Sequence, residues 1–118
     1  MNMLELFRNE TNLKPLGAGQ TLFKEGEAGN LMYVLMSGTA EIVVNNKVVE
    51  FAHAGSIVGE MGMIDEGARS ATVKAMSDCK FFPVDRALFD HHVLHTPQFA
   101  QYVMRVIADR LRRTDARL

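Results

Sequence analysis

Gly59-Glu60-Met61-Gly62-Met63-Ile64, followed by Arg69-Ser70-Ala71-Thr72, is the stretch on which the reading of this chain turns. A glycine and a carboxylate open a short loop, and nine positions after the carboxylate comes an arginine followed by small hydroxylic residues. Ile57-Val58 leads in. Gly59 lets the backbone turn tightly or approach a ligand closely. Glu60 to Ile64 is long enough for one helical turn, whose N-terminal amides point together and favour an anion. Asp65-Glu66-Gly67 reads as an exposed turn, and Arg69 as returning into the wall of the fold beside the apolar strand Ala71 to Ala75. A guanidinium stays charged and can grip two phosphate oxygens with its fork. An ionised carboxylate only accepts, so Glu60 suits a pair of donors such as a sugar hydroxyl and a nearby amide. An isolated Glu-Arg pair at this spacing would first suggest a salt bridge. The glycine, the apolar loop helix and the Arg-Ser-Ala-Thr-Val run make the combination more specific than that.

Outward from the loop, the flanks are strand and turn. Thr21 to Lys24 reads as a short strand ended by Gly26. Leu31 to Met36 is apolar on both faces, as a strand inside a barrel or sandwich is. Thr39 to Val44 and Lys47 to Phe51 are joined at Asn45-Asn46, a compact hairpin turn, because Asn tolerates positive φ. Ser70 to Ala75 and Cys79 to Val84 are two further strands. Short strands at regular spacing with Gly-rich turns indicate an antiparallel β-roll or jelly roll. Met3 to Phe7 is one amphipathic helical turn or two. Past Asp85 the period changes: Arg86 to Leu94 reads as a helix, and Thr96-Pro97 opens another. There Phe99, Tyr102, Val103, Val106, Ile107 and Leu111 fall at helical spacing. That stripe must cover either the barrel or the same helix of a second subunit. Asp109 and Arg113 are placed for an i,i+4 ion pair on its polar face.

Composition narrows the function classes. The 118 residues are enough for one domain over 1–118, with a β-roll at about 13–84 and C-terminal helices at about 86–114. The net charge of −1 predicts no bulk attraction to nucleic acid. Five arginines (105, 110, 112, 113 and 117) stand against Asp109 and Asp115 in the last fourteen residues, a basic helix face. Cys79 is the one cysteine, so no internal disulfide forms, and its apolar surroundings suit a small buried hydrophobe. No signal peptide or membrane span is evident, and a cytoplasmic location is expected. Met1 and the helical opening suit a natural start. A metalloenzyme of cupin type needs clustered ligands on adjacent strands, but His53 alone lies in the strand region. His91 and His95 share a helix face without the glutamate of a zinc hydrolase motif, and no metal is expected.

The run Gly-Glu-Met-x-Met-Ile followed by Arg-Ser-Ala-Thr-Val-x-Ala resembles the phosphate-binding cassette of cyclic-nucleotide-binding domains. Phe23-Lys24-Glu25-Gly26, Leu31-Met32-Tyr33 and Ser37-Gly38 fit the family's upstream pattern, and the similarity covers roughly 13–113. The resemblance implies a non-catalytic sensor that binds cAMP or cGMP through a cassette at 59–72. Glu60 would take the ribose 2′-OH and Arg69 the cyclic phosphate. Ser70 would add a phosphate contact, Gly59 and Met61 would give backbone contacts, and Ala71 would complete the set. Met63 stands where the family has an apolar switch residue that packs on the C-terminal helices. A base lid would come from the last helix, with Arg110 the first choice and Ile107, Leu111 and Arg113 its rivals. Threonine after the cassette arginine accompanies guanine recognition in some members, so Ser70 puts cAMP ahead of cGMP. Three positions depart from the family pattern: Ala54-Gly55-Ser56 where Pro-Gly-Asp or Pro-Gly-Glu is common, Gly62 where alanine is common, and Ala68 where proline is. Relatives join this module to a helix-turn-helix, a kinase or a channel. The resemblance therefore implies either a stand-alone sensor or an excised regulatory domain, without membrane insertion or direct nucleic-acid binding of its own. A transcription-factor parent would predict a homodimer through the C-terminal helix.

Overall fold

A computed structural model describes residues 2–65 and 67–116. Glu66 and Arg117, which entered the readings of the loop turn and the basic helix, lie outside the described residues. The order is α1 (Met3–Phe7), β1 (Lys14–Leu16), β2 (Thr21–Phe23), β3 (Met32–Ser37), β4 (Ala40–Val44), β5 (Lys47–Ala52), β6 (Ile57–Val58), α2 (Met61–Ile64), β7 (Thr72–Ala75), β8 (Cys79–Val84), α3 (Arg86–His95) and α4 (Pro97–Ala116). Two four-stranded antiparallel sheets, β1-β8-β3-β6 and β2-β7-β4-β5, make the expected β-roll.

The apolar pattern explains the layers. β3 is buried on both faces because its alternate residues serve two cores. Tyr33 and Leu35 face the second sheet, in a cluster with Leu22, Ile42, Val58, Val73 and Phe81. Met32 and Val34 face the helices, in a cluster with Phe7, Ile57, Met63, Phe82, Phe89, Phe99 and Val103. Asn45 and Asn46 turn the β4–β5 hairpin at φ 51° and 64°, as the dipeptide predicts. Pro15 lies in β1, an edge strand, where proline is tolerated.

The helices are tied down locally. Asp85 caps α3 by accepting from Leu88 N at 2.9 Å, and Asn2 caps α1 by accepting from Glu5 N at 2.9 Å. Tyr102 on α4 donates to the Gly55 carbonyl at 3.1 Å, joining that helix to the barrel. Two expectations for α4 need correcting. Asp109 pairs with Arg112 at 3.2 Å rather than with Arg113, which reaches Glu50 on β5 at 2.9 Å. Leu111 is 60% exposed rather than packed in the stripe, while Phe99 and Val103 are buried as expected.

Candidate functional site

The loop from β6 to β7 crosses from one sheet to the other. Gly59 opens it at φ +76°, a left-handed conformation that a side chain rarely adopts. A Cβ there would also sit 2.7 Å from Arg69 Nη1 and 3.0 Å from the Leu31 carbonyl. Met61–Ile64 form the single helical turn expected from the sequence. Glu60 precedes it in αR geometry and gives no side-chain cap, so its carboxylate is not committed to the helix.

Glu60 and Arg69 are the buried charged residues of the described chain, 3% and 8% exposed. Burial of a charge is costly unless it is paired. Glu60 is paired with Arg110 Nη1 from α4 and not with Arg69. Arg69 is held differently. Its guanidinium lies 4.1 Å over the Phe23 ring, and a Cβ at Gly29 would overlap it. Nη1 of Arg69 is a buried side-chain nitrogen without a hydrogen-bond partner among the described residues. Burial pulls the Arg69 pKa below its ordinary value, opposed by Tyr33 and Glu27. A guanidinium stays protonated at neutral pH.

A cavity of about 220 Å³ collects the residues singled out by the sequence. Gly59, Glu60, Met61, Arg69, Ser70, Ala71 and Arg110 all line it. Phe23, Ile42, Val58 and Val73 form its apolar barrel side, and Ile107 and Leu111 border it from α4. The cavity is thus lined by a carboxylate, by an arginine whose Nη1 has no partner among the described residues, and by apolar side chains. Arg110 is not a solvated charge. It donates to Glu50 through Nε at 3.0 Å and Nη2 at 3.1 Å, and to the Ile57 carbonyl through Nη2 at 2.9 Å.

Met63 is buried in the helix-facing cluster, and its carbonyl accepts from Arg86 Nη2 of α3 at 2.7 Å. Sequence reasoning missed Phe23 and Glu50. Phe23 entered it only as part of a turn pattern, and Glu50 only as one residue of a return strand. The available signal for Glu50 was a carboxylate between Val49 and Phe51, in a chain whose last helix is rich in arginine. His91 and His95 have ring centroids 4.8 Å apart on exposed α3 positions. No three His, Cys, Asp or Glu side chains form a metal-ligand group among the described residues. No helix among them is long and apolar enough to cross a membrane.

Comparison with known proteins identifies the class that this fold and cavity define. Residues 13–94 match the cyclic nucleotide-binding domain family model. The chain belongs to that family and is a cyclic-nucleotide-binding regulatory domain. It is 33% identical to a cGMP-dependent protein kinase of Eimeria tenella over 87 residues, 73% of this chain and 9% of that protein. It is 27% identical to a CRP-like cAMP-activated global transcriptional regulator of Mycobacterium tuberculosis over 105 residues, 85% of this chain and 47% of that protein. The chain therefore spans less than half the length of these relatives. The fold is similar to that of the Thermus thermophilus catabolite activator protein, with a TM-score of 0.79 at 23% identity, covering 95% of this chain and 60% of that one.

Proposed function

We propose that this chain is a non-catalytic sensor that takes cAMP ahead of cGMP, with the nucleotide held by the loop at 59–72. The observation that carries this reading is the buried Nη1 of Arg69, without a partner among the described residues, on a side chain that lines the cavity. A buried donor without a partner calls for an acceptor, and the cyclic phosphate supplies one with charge to match. Ser70 and the Met61 amide flank the same end, while Glu60 receives the ribose 2′-OH. Gly59 and Ala71 leave room for the backbone to approach. Arg110, the first choice for the base lid from the sequence, is held by Glu50 and Glu60, so we assign it to the sugar edge and its rivals Ile107 and Leu111 to the roof over the base. Ser70 in place of threonine favours adenine over guanine, as the family resemblance implies.

The signal passes through two contacts. Met63 packs with Phe89, Phe99 and Val103, and its carbonyl is held by Arg86. Movement of α2 on binding is thus felt by both α3 and α4, a shift between two packings. Met104 on α4 is exposed and suits a homodimer contact through the C-terminal helix. A regulatory domain of a larger regulator or channel, working in the cytoplasm without itself touching DNA, fits these features. Parallel calorimetric titrations of cAMP and cGMP test the reading. Tighter binding of cAMP is expected. Tighter cGMP binding would reverse the preference, and no binding of either would remove the assignment. Sedimentation with and without cAMP tests the dimer, which a monomer in both conditions would rule out.

A further inference from the structure

Glu50 owes its position to a break in the β4–β5 ladder. Ile42 pairs with Glu50 and Val43 pairs with Val48, so Val49 is an extra residue on β5. Such a bulge re-aims the side chains that follow it. Residues directly opposite each other share a face of the sheet. Glu50 therefore shares the inner face of Ile42, which is buried and lines the cavity. A carboxylate turned inward needs cations, and α4 supplies two. Arg110 binds it with both Nε and Nη2, and Arg113 reaches Oε1 at 2.9 Å. One edge of the Arg110 guanidinium is thus taken by Glu50 and the Ile57 carbonyl. Nη1 is the nitrogen that meets Glu60, at Oε1.

We propose that Glu50 is a positioning residue for nucleotide binding. By engaging the Nε/Nη2 fork of Arg110, it holds that fork away from Glu60, whose carboxylate then stays available to a ligand hydroxyl. The inference rests on the reading that Glu60 receives the sugar. Without the Glu50 charge, the nearest carboxylate for the fork is Glu60 itself. A bidentate arginine–carboxylate pair is among the stronger side-chain contacts. A ligand would then have to displace two charge-assisted hydrogen bonds from Glu60.

The test is calorimetric titration of cAMP and of 2′-deoxy-cAMP into wild type, Glu50→Gln, Arg110→Gln and the double variant. Melting curves establish that each is folded. Loss of one charge-assisted contact corresponds to about a tenfold weaker Kd, and that is the expected effect of Glu50→Gln on cAMP. The loss is smaller for the 2′-deoxy analogue, and in the Arg110→Gln background, where no fork is left to redirect, Glu50→Gln costs cAMP binding nothing further. Unchanged binding in Glu50→Gln overturns the proposal. So does a double variant weaker than Arg110→Gln by the full Glu50→Gln loss, which would mean that Glu50 acts through the fold and not through Arg110. Equal losses for both nucleotides would likewise remove Glu60 as the point of action. Should Glu50→Gln not fold, Glu50→Asp carries the same test: it keeps the charge but is one methylene short of the fork. An intermediate loss is expected, and unchanged binding overturns the proposal. Wild type binding neither nucleotide removes the functional reading and this inference together. Wild-type binding with a failed variant pattern removes the inference alone.

Discussion

The Arg69 guanidinium lies 4.1 Å over the ring of Phe23, which in turn stacks on Tyr33 with centroids 6.2 Å apart. The aromatic face steadies the cation in a place where burial has removed water and left Nη1 without a partner. Phe23 thus supports the phosphate end of the proposed site without needing to touch the ligand. Arg69→Ala should cost about 2–5 kcal/mol of nucleotide binding, as for loss of one partner in a buried charge pair. Phe23→Leu should cost about 0.5–2 kcal/mol, the range of a cation–π contact. Calorimetry on both and on the double variant checks the link. If Phe23 acts through Arg69, the double variant binds no worse than Arg69→Ala; additive losses would separate the two residues.

Gly29 offers a gentler displacement of the same cation. A methyl group there would overlap the Arg69 guanidinium, the movable end of a long side chain. Gly29→Ala should therefore leave the melting temperature nearly unchanged and weaken nucleotide binding about tenfold, a change of about 1.4 kcal/mol. A melting curve and a titration on one preparation check this. A strong loss of stability with affinity retained would show that the loop backbone, and not the arginine, moves.

At the sugar end, a 2′-deoxy nucleotide should bind wild type more weakly by about 1–3 kcal/mol, because Glu60 would lose a partner in a buried setting. Competition between cAMP and its 2′-deoxy analogue measures the difference. Equal affinities would take Glu60 out of the site.

His92 predicts a pH dependence of stability. Burial lowers its pKa from 6.5, neighbouring His91 and His95 lower it further, and Glu10 opposes them. Phe7 and Phe99 pack against the ring, and Nδ1 lies 3.0 Å from the Thr96 hydroxyl. A histidine whose folded pKa is depressed binds protons more readily when unfolded. Its contribution to stability is full above about pH 6.5 and falls as the pH drops through and below that value. Urea midpoints at pH 7.5 and 5.5 should therefore fall further in wild type than in His92→Gln. Equal falls would assign the pH dependence to other groups.

Much of this arrangement was legible because it is local. A glycine that must turn, a carboxylate at the start of a helical turn, and an arginine ahead of a strand are all encoded within fourteen residues, and they line one cavity. The two-sided burial of β3 was legible from the unbroken apolar run Leu31 to Met36. What escaped depends on partners distant in the chain. The Val49 bulge looks like ordinary strand, because alternation alone does not show an extra residue. Once Glu50 is turned inward, it draws Arg113 away from Asp109 and takes the fork of Arg110. Leu111 fits the apolar stripe by spacing, yet it borders the open side of the cavity rather than the core. β1 escaped notice because three residues around Pro15 carry almost no strand signal.

The crossing of the 59–72 loop between the sheets has a mechanical consequence. Glu60 follows β6, an edge strand of one sheet, by two residues, and Arg69 precedes a strand of the other by three. A molecule gripped at both ends would act as a cross-brace between the layers. Sliding of one sheet over the other would then stretch the ligand's own bonds to the protein. Occupancy would stiffen the barrel in shear, along the direction in which two packed sheets otherwise yield most easily.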